Sequence, residues 1–258
     1  MTYIFDTHAH YDDKAFDEDR DILLEELPES GIARVVNIGA SLASCERTIE
    51  LTKKYDYIYG AIGVHPSETA ELNEETYGRL QKMCCLEKCV AVGEIGLDYY
   101  WNEPERDVQK KWFVRQLNLA RECGLPVVIH SRDAARDTVD IMKAERAEEI
   151  GGVIHCFSYT KETAKIFLDM GFYFGIGGVL TFRNAKKLKE AVEFIPLDRI
   201  VLETDCPYLS PVPNRGKRNS SLNLPYVISA MAQIKGISEE AVKKATWANA
   251  LSLYRMEQ

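Results

Sequence analysis

Eight short apolar, β-rich runs alternate with segments of helical length from one end of the chain to the other. The runs are Tyr3–Ala9, Arg34–Ile38, Ile58–Val64, Val90–Gly93, Pro126–Ile129, Gly152–His155, Tyr173–Ile176 and Arg199–Glu203. Most are continuously apolar rather than alternating, as parallel strands covered by helices are. The intervening amphipathic segments are Asp17–Ser30, Cys45–Tyr55, Glu74–Glu87, Glu105–Cys123, Ala134–Arg146, Lys161–Met170 and Ala185–Phe194. Gly31, Gly124 and Gly171 follow three of them and are good helix stops. A loop rich in Pro, Asn and Arg then leads to helices near Leu222–Lys235 and Ser238–Leu253. Crossovers between parallel strands are right-handed, so the series closes into a barrel or opens as a doubly wound sheet. At 258 residues the chain suits one complete barrel or two small domains. It has no long linker, low-complexity tract or internal repeat. The expectation is one α/β domain, a single (β/α)8 TIM barrel over residues 1–258.

Composition narrows the setting. Hydrophobic residues make up 46% of the chain, enough for a full core and against disorder. No run approaches the roughly 18 apolar residues of a membrane span. The start, Met1-Thr2-Tyr3-Ile4-Phe5-Asp6, does not read as a signal peptide. Seven cysteines without a C-x-x-C pair argue against a disulfide framework and a zinc ribbon, and fit reduced thiols. A cytoplasmic location is expected. The net charge of −8 disfavours nonspecific nucleic-acid binding over the whole surface, but leaves room for a local basic groove.

All five histidines, His8, His10, His65, His130 and His155, fall at or just past the C-terminal end of a strand run. That end of a parallel barrel is where active sites form. One histidine there is more often structural, but five at the same end are not a chance scatter. In Asp6-Thr7-His8-Ala9-His10, residues two apart share a face, so both imidazoles can reach one metal ion, with Asp6 beneath them as an orienting carboxylate. Glu94 emerges between Gly93 and Gly96, where the backbone is free to turn. His130 and His155 each follow an apolar run. Glu203 and Asp205 end the last run two apart, facing inward together. An acid inside a barrel strand is costly unless paired or metal-bound. Glu203 is balanced between a buried ion pair and a role at the site; Asp205 is expected to bind metal.

Together these stretches resemble the TatD family, within the wider metal-dependent amidohydrolase-like barrels. The matches are Phe5-Asp6-Thr7-His8-Ala9-His10, Gly63-Val64-His65-Pro66, Gly93-Glu94-Ile95-Gly96-Leu97-Asp98-Tyr99, Ile129-His130-Ser131-Arg132, His155-Cys156-Phe157, Leu202-Glu203-Thr204-Asp205-Cys206-Pro207-Tyr208 and Arg215-Gly216-Lys217-Arg218-Asn219. They span nearly the whole chain in order. One departure is Ser220–Leu224, which separates the last stretch from Pro225 where the family reaches a proline sooner. The resemblance implies a two-metal site: His8, His10 and Asp205 on one ion, His130 and His155 on the other, and Glu94 bridging. Two divalent ions, Zn²⁺, Mg²⁺, Mn²⁺ or Co²⁺, are expected; mixed imidazole and carboxylate ligands disfavour Ca²⁺. Asp205 would accept the proton of the attacking water, with Glu94 beside it in the catalytic centre.

The resemblance also implies a deoxyribonuclease acting from a 3′ end, with DNA as substrate; no membrane association and no obligate protein partner are expected. Arg132, Arg215, Lys217 and Arg218 are expected to grip phosphates around the mouth. Tyr99, Tyr100 and Trp101 are expected to stack on bases, and His65 to face substrate rather than metal. Two other classes stay open: an amidohydrolase-type enzyme acting on a small amide, ester or lactone, and a non-catalytic metal-binding barrel. The carboxylate at 94, where such amidohydrolases often hold a carboxylated lysine, favours the nuclease class.

Overall fold

The computed structural model describes residues 3–101 and 103–257; Met1 and Thr2 of the N-terminal segment read above lie outside them. Strands β1 (Ile4–Ala9), β2 (Ile32–Ile38), β3 (Ile58–Ile62), β4 (Cys89–Asp98), β5 (Val127–Arg132), β6 (Gly152–Ile154), β7 (Tyr173–Ile176) and β8 (Ile200–Leu202) pair in parallel, each with the next. The return from β8 to β1 decides between barrel and open sheet. His8 O accepts from Asp205 N at 2.9 Å, His10 N donates to Cys206 O at 2.8 Å, and Ala9 pairs in parallel with Cys206. The sheet therefore closes at its C-terminal rim as a TIM barrel.

Around it lie α1 (Arg20–Glu26), α2 (Leu42–Lys54), α3 (Glu74–Cys84), α4 (Arg106–Cys123), α5 (Ala135–Ala144), α6 (Lys161–Asp169), α7 (Lys186–Phe194), α8 (Leu224–Lys235) and α9 (Glu239–Leu253). Their ends follow local chemistry. Ser41 and Ser238 accept from the first-turn amides of α2 and α9, Asn73 and Thr76 form a capping box on α3, and Gly124 ends α4 at φ +66°. No helix among the described residues is long and apolar enough to cross a membrane. Val36, Ala61, Ala91, Val128, Val153 and Val201 gather in one buried cluster with Phe5 and the end of α9, an inner set of mostly small side chains suited to a barrel lumen.

Of the boundaries that differ from expectation, three bear on the argument. The first helix stops at Glu26, short of Ser30: Leu27 keeps helical backbone, but Pro28 has no amide hydrogen to continue the ladder and its ring crowds the preceding turn. Strand β4 runs on to Asp98, so Glu94 lies within a strand and not in a turn after it. Strand β5 runs to Arg132, so His130 is also a strand residue.

Asp6 ties the closure together, but not in the way the sequence indicates. Its Oδ1 accepts from Thr204 N at 3.0 Å and His8 N at 3.2 Å; its Oδ2 accepts from Ser221 Oγ at 2.6 Å and Thr204 Oγ1 at 2.7 Å. It touches no imidazole, because its face of β1 is turned to the β8 loop. Burial pushes its carboxyl up to about 7. We predict that Asp6→Ala costs about 3 kcal/mol of stability, since each buried donor left unpaired costs roughly 1–3 kcal/mol. Urea unfolding checks this, and a loss under about 1 kcal/mol would show that the closure does not depend on Asp6.

Candidate metal centre

Because β1 is extended, His8 and His10 project to the same side at its end. Their Nε2 atoms stand 3.1 Å apart, and His10 Nδ1 bonds to the Ile38 carbonyl at 2.9 Å, fixing its ring. From the opposite wall, His130 Nδ1 lies 3.1 Å from His155 Nε2. Glu94 enters between the two pairs. Its Oε1 is 2.7 Å from both His130 Nδ1 and His155 Nε2; its Oε2 is 3.5 Å from His8 Nε2 and 3.7 Å from His10 Nε2. Asp205 Oδ1 lies 3.6 Å from His8 Nε2 and 3.4 Å from His10 Nε2. Two ligand groups thus share one carboxylate.

These separations fit divalent metal. Imidazole and carboxylate atoms held about 2.0–2.1 Å from an ion in tetrahedral geometry stand about 3.3 Å apart, close to most of the spacings here. The electrostatics agree. Burial lowers His10, yet its bond to Asp205 and the charges of Asp205 and Glu94 raise it to about 9. Burial likewise opposes the charge on His155, but Glu94 and Glu203 lift it well above the usual imidazole value. Burial raises Glu94, but His155, His130 and His8 hold it well below the carboxylate range. Without an ion, the surrounding carboxylates draw protons onto His10, His130 and His155, whereas burial and then His155 hold His8 below its usual value; the centre favours positive charge where a cation would sit.

Asp205 departs from the expected geometry. Its backbone is left-handed, φ +56°, so strand alternation does not pair it with Glu203. Instead Asn219 Nδ2 bonds to Thr204 O at 3.0 Å, pinning the residue before it. Glu203 is buried; its Oε1 accepts from Cys156 N at 2.6 Å and lies 3.7 Å from His155 Nδ1, while Oε2 has no hydrogen-bond partner among the described residues. Gly175 makes room for it: a Cβ there would meet Glu203 Oε2 at 1.9 Å. The sequence reading passed over Asp98, whose Oδ2 is 3.0 Å from His130 Nε2. The period of two places it on the face of Glu94 once β4 is seen to continue.

A family profile described as TatD related DNase matches residues 5–255. The chain belongs to the TatD family of metal-dependent hydrolases. It is 42% identical to the uncharacterized metal-dependent hydrolase YabD of Bacillus subtilis, over 98% of this chain and 99% of that one. It is 32% identical to the 3′-5′ ssDNA/RNA exonuclease TatD of Cronobacter sakazakii, over 97% of each. The crystal structure of the TatD homologue YjjV from Escherichia coli superposes with a TM-score of 0.93 at 27% identity, over 98% of both chains.

In this TatD-family chain the metal centre forms the floor of a cavity of about 900 Å³. Arg132 and His65 line it. Three of the expected basic residues do not. Arg218 is bound by both oxygens of Asp19 at 2.7 and 2.6 Å and lies over Phe16; Arg215 lies 3.6 Å over the Phe182 ring; Lys217 is exposed outside the lining. Their charge was legible in the sequence and their partners were not. Lys14 and Arg47, from segments far apart in the chain, line the cavity instead. Tyr99 is also withdrawn, its hydroxyl donating to Asp137 at 2.6 Å and its ring under Arg106.

His65 Nδ1 accepts from Ser67 N at 3.2 Å, which leaves its proton on Nε2, 3.8 Å from Glu94 Oε1. We predict that Glu94→Gln weakens metal binding at least tenfold, whereas His65→Ala keeps nearly the full metal content. Elemental analysis after gel filtration checks both. Loss of a full equivalent from His65→Ala would make His65 a ligand.

Proposed function

We propose that this chain is a divalent-metal-dependent deoxyribonuclease that hydrolyses phosphodiester bonds from the 3′ end of DNA. The observation that carries the reading is the shared Glu94 carboxylate at the floor of a cavity rimmed by exposed aromatic rings. His8, His10 and Asp205 would hold one ion, His130 and His155 a second, and Glu94 both. Bound there, the ions supply Lewis-acid stabilisation of phosphoryl oxygens and lower the pKa of water.

The protein groups divide the remaining work. The Asp205 side chain is 17% exposed against 5% for Glu94, so of the two acids it is the one water reaches, and it accepts the proton of the attacking water. His65 offers its Nε2–H to a phosphoryl oxygen. Arg132 reads an adjacent phosphate, held with its guanidinium 3.8 Å over Tyr100. Tyr100 meets Trp101 edge-on at 4.9 Å, and both are 55% exposed, as is Tyr208 beside His10. Exposed rings at a catalytic rim suit unstacked bases, where stacking is worth roughly 1–3 kcal/mol per base. The 3′ polarity is supported by the name of the Cronobacter relative.

The deciding assay offers 3′- and 5′-labelled single-stranded DNA, duplex DNA, RNA, a phosphotriester and a small amide with Mg²⁺, Mn²⁺ or Zn²⁺. Nucleotides should be released from the 3′ end of single-stranded DNA; amide hydrolysis without DNA cleavage would overturn the reading. Asp205→Asn should fold, retain much of its metal and lose turnover by roughly a hundredfold or more. Near-normal single-turnover hydrolysis in that variant would pass the proton to another group, with Glu203 first in line.

Phosphate contact should rest on Arg132 and not on the loop 215–218. Arg132→Ala should raise KM for DNA and shallow its salt dependence by about one phosphate contact. Lys217→Ala should leave the slope unchanged. The opposite ranking would move the DNA path onto that loop.

A further inference from the structure

Among the described residues, three Lys and Arg side chains line the cavity above the metal centre: Lys14, Arg47 and Arg132. Arg132 ends β5. Lys14 opens the short turn Lys14–Phe16 after β1, and Arg47 lies in α2, which follows β2. In a closed barrel with its strands in sequential order, β5 stands opposite β1. Lys14 and Arg47 therefore stand across the metal centre from Arg132, and the proposed function leaves them without a task. Both are held in place. Arg47 Nε donates to Asp12 O at 3.2 Å, and its Nη2 lies 3.6 Å from Asp12 Oδ2. One edge of the guanidinium is anchored while the side chain stays half-exposed. The buried Asp12 carboxylate already accepts from Asn37 Nδ2 at 2.9 Å and Ser44 Oγ at 2.6 Å. The segment carrying Lys14 is clamped: Arg20 donates to Tyr11 O at 2.6 Å and Asp13 O at 3.0 Å, and Arg218 donates to Ala15 O at 2.7 Å. The Asp13 carboxylate is engaged by Ala15 N at 2.7 Å and the Tyr208 hydroxyl at 3.0 Å. Lys14 itself is exposed and has no ion-pair partner among the described residues.

We propose that Lys14 and Arg47 form a subsite for a terminal 3′-phosphate, so that the enzyme takes 3′-phosphorylated DNA ends. The inference rests on the nuclease reading above. A strand laid across the cavity puts the scissile phosphate over the metal centre and its upstream phosphate at Arg132 beside the exposed rings. The nucleotide to be released then lies against the opposite wall. With a 3′-hydroxyl it offers two cations nothing to bind. A 3′-phosphate monoester carries a charge of about −1.5 to −2 at neutral pH, whereas an internucleotide phosphate carries a single charge. Two cations match the monoester, and Arg47 with one edge anchored loses little freedom in binding it. The reaction is hydrolysis of the last internucleotide bond. The water oxygen bonds to phosphorus and the bond from phosphorus to the upstream 3′ oxygen breaks. The proton taken by Asp205 passes to that oxygen, and the other hydrogen of the water stays with the new 5′-phosphate. The products are a strand shortened to a 3′-hydroxyl and a nucleoside 3′,5′-bisphosphate.

The test gives the full-length, metal-loaded protein two matched single-stranded oligonucleotides, one ending in a 3′-hydroxyl and one in a 3′-phosphate. The phosphorylated end should be cleaved with kcat/KM about tenfold higher or more, the scale of one hydrogen bond to a charged group. Mass spectrometry should find the nucleoside 3′,5′-bisphosphate. Lys14→Ala and Arg47→Ala, both at exposed positions, should each lower the ratio of the two kcat/KM values severalfold. Arg132→Ala should slow both ends and leave the ratio in place. Damage to the fold at Arg47 would act on both ends alike, so the ratio separates recognition from structure. Equal rates on the two ends, a preference that survives both substitutions, release of inorganic phosphate from an uncut strand, or equally fast cutting of circular single-stranded DNA would each overturn the subsite. Cleavage of neither end with Mg²⁺, Mn²⁺ or Zn²⁺ would bring down the nuclease reading and the subsite with it.

Discussion

The site depends on one carboxylate being shared. Glu94 Oε1 serves His130 and His155, and Oε2 faces His8 and His10. An ionised carboxylate buried in this way is expensive unless opposite charge surrounds it. Without an ion, His10, His130 and His155 meet that need by taking up protons, and the charges on His130 and His155 then repel one another across 3.1 Å. The arrangement is frustrated as bare protein and relieved by cations, which is why so many ring nitrogens converge on two acids.

The barrel exists to hold that convergence. β1, β4, β5 and the ends of β6 and β8 each deliver one or two groups to a single rim, and the rim is fixed where Asp6 gathers Thr204, Ser221 and the His8 amide. Supporting carbonyls and acids then orient the rings: Ile38 O on His10, Asp98 on His130, Glu203 near His155. These partners set ring direction and basicity, so the metal-facing nitrogens are prepared before any ion arrives.

Much of this was legible in the chain. Alternating runs gave the barrel, and the histidines at strand ends gave its working rim. What escaped has physical reasons. The reach of β4 through Asp98 was hidden by Gly93 and Gly96, which read as a turn, and with it went the pairing of Asp98 with His130. Asp205 was located but for the wrong reason, since left-handed backbone and not strand alternation aims it. Charge was the least transferable signal. Arg215, Lys217 and Arg218 looked like one basic patch, yet two are engaged by Phe182 and by Asp19 with Phe16, contacts made across large sequence separations. Asn219, in the same stretch, does matter, as the clamp on Thr204.

An acidic protein proposed to act on DNA needs an explanation, and the proposed ions would provide one. With the imidazoles neutral as ligands, Glu94 and Asp205 carry −2; the two divalent ions proposed would add +4, leaving +2 where a phosphate would sit. The ions are then the largest local charges and invert the electrostatics of the pocket. Asp12, Asp13 and Glu68 also line the cavity and add negative charge around its floor. Metal-loaded, the same acids confine the positive potential to the reacting centre, so attraction acts over a few ångströms and not over the whole surface. The net charge of −8 then opposes nonspecific coating of the protein by nucleic acid without opposing entry of a strand end. Affinity in such a site rests on the ions, Arg132 and base stacking, so a short basic face is sufficient.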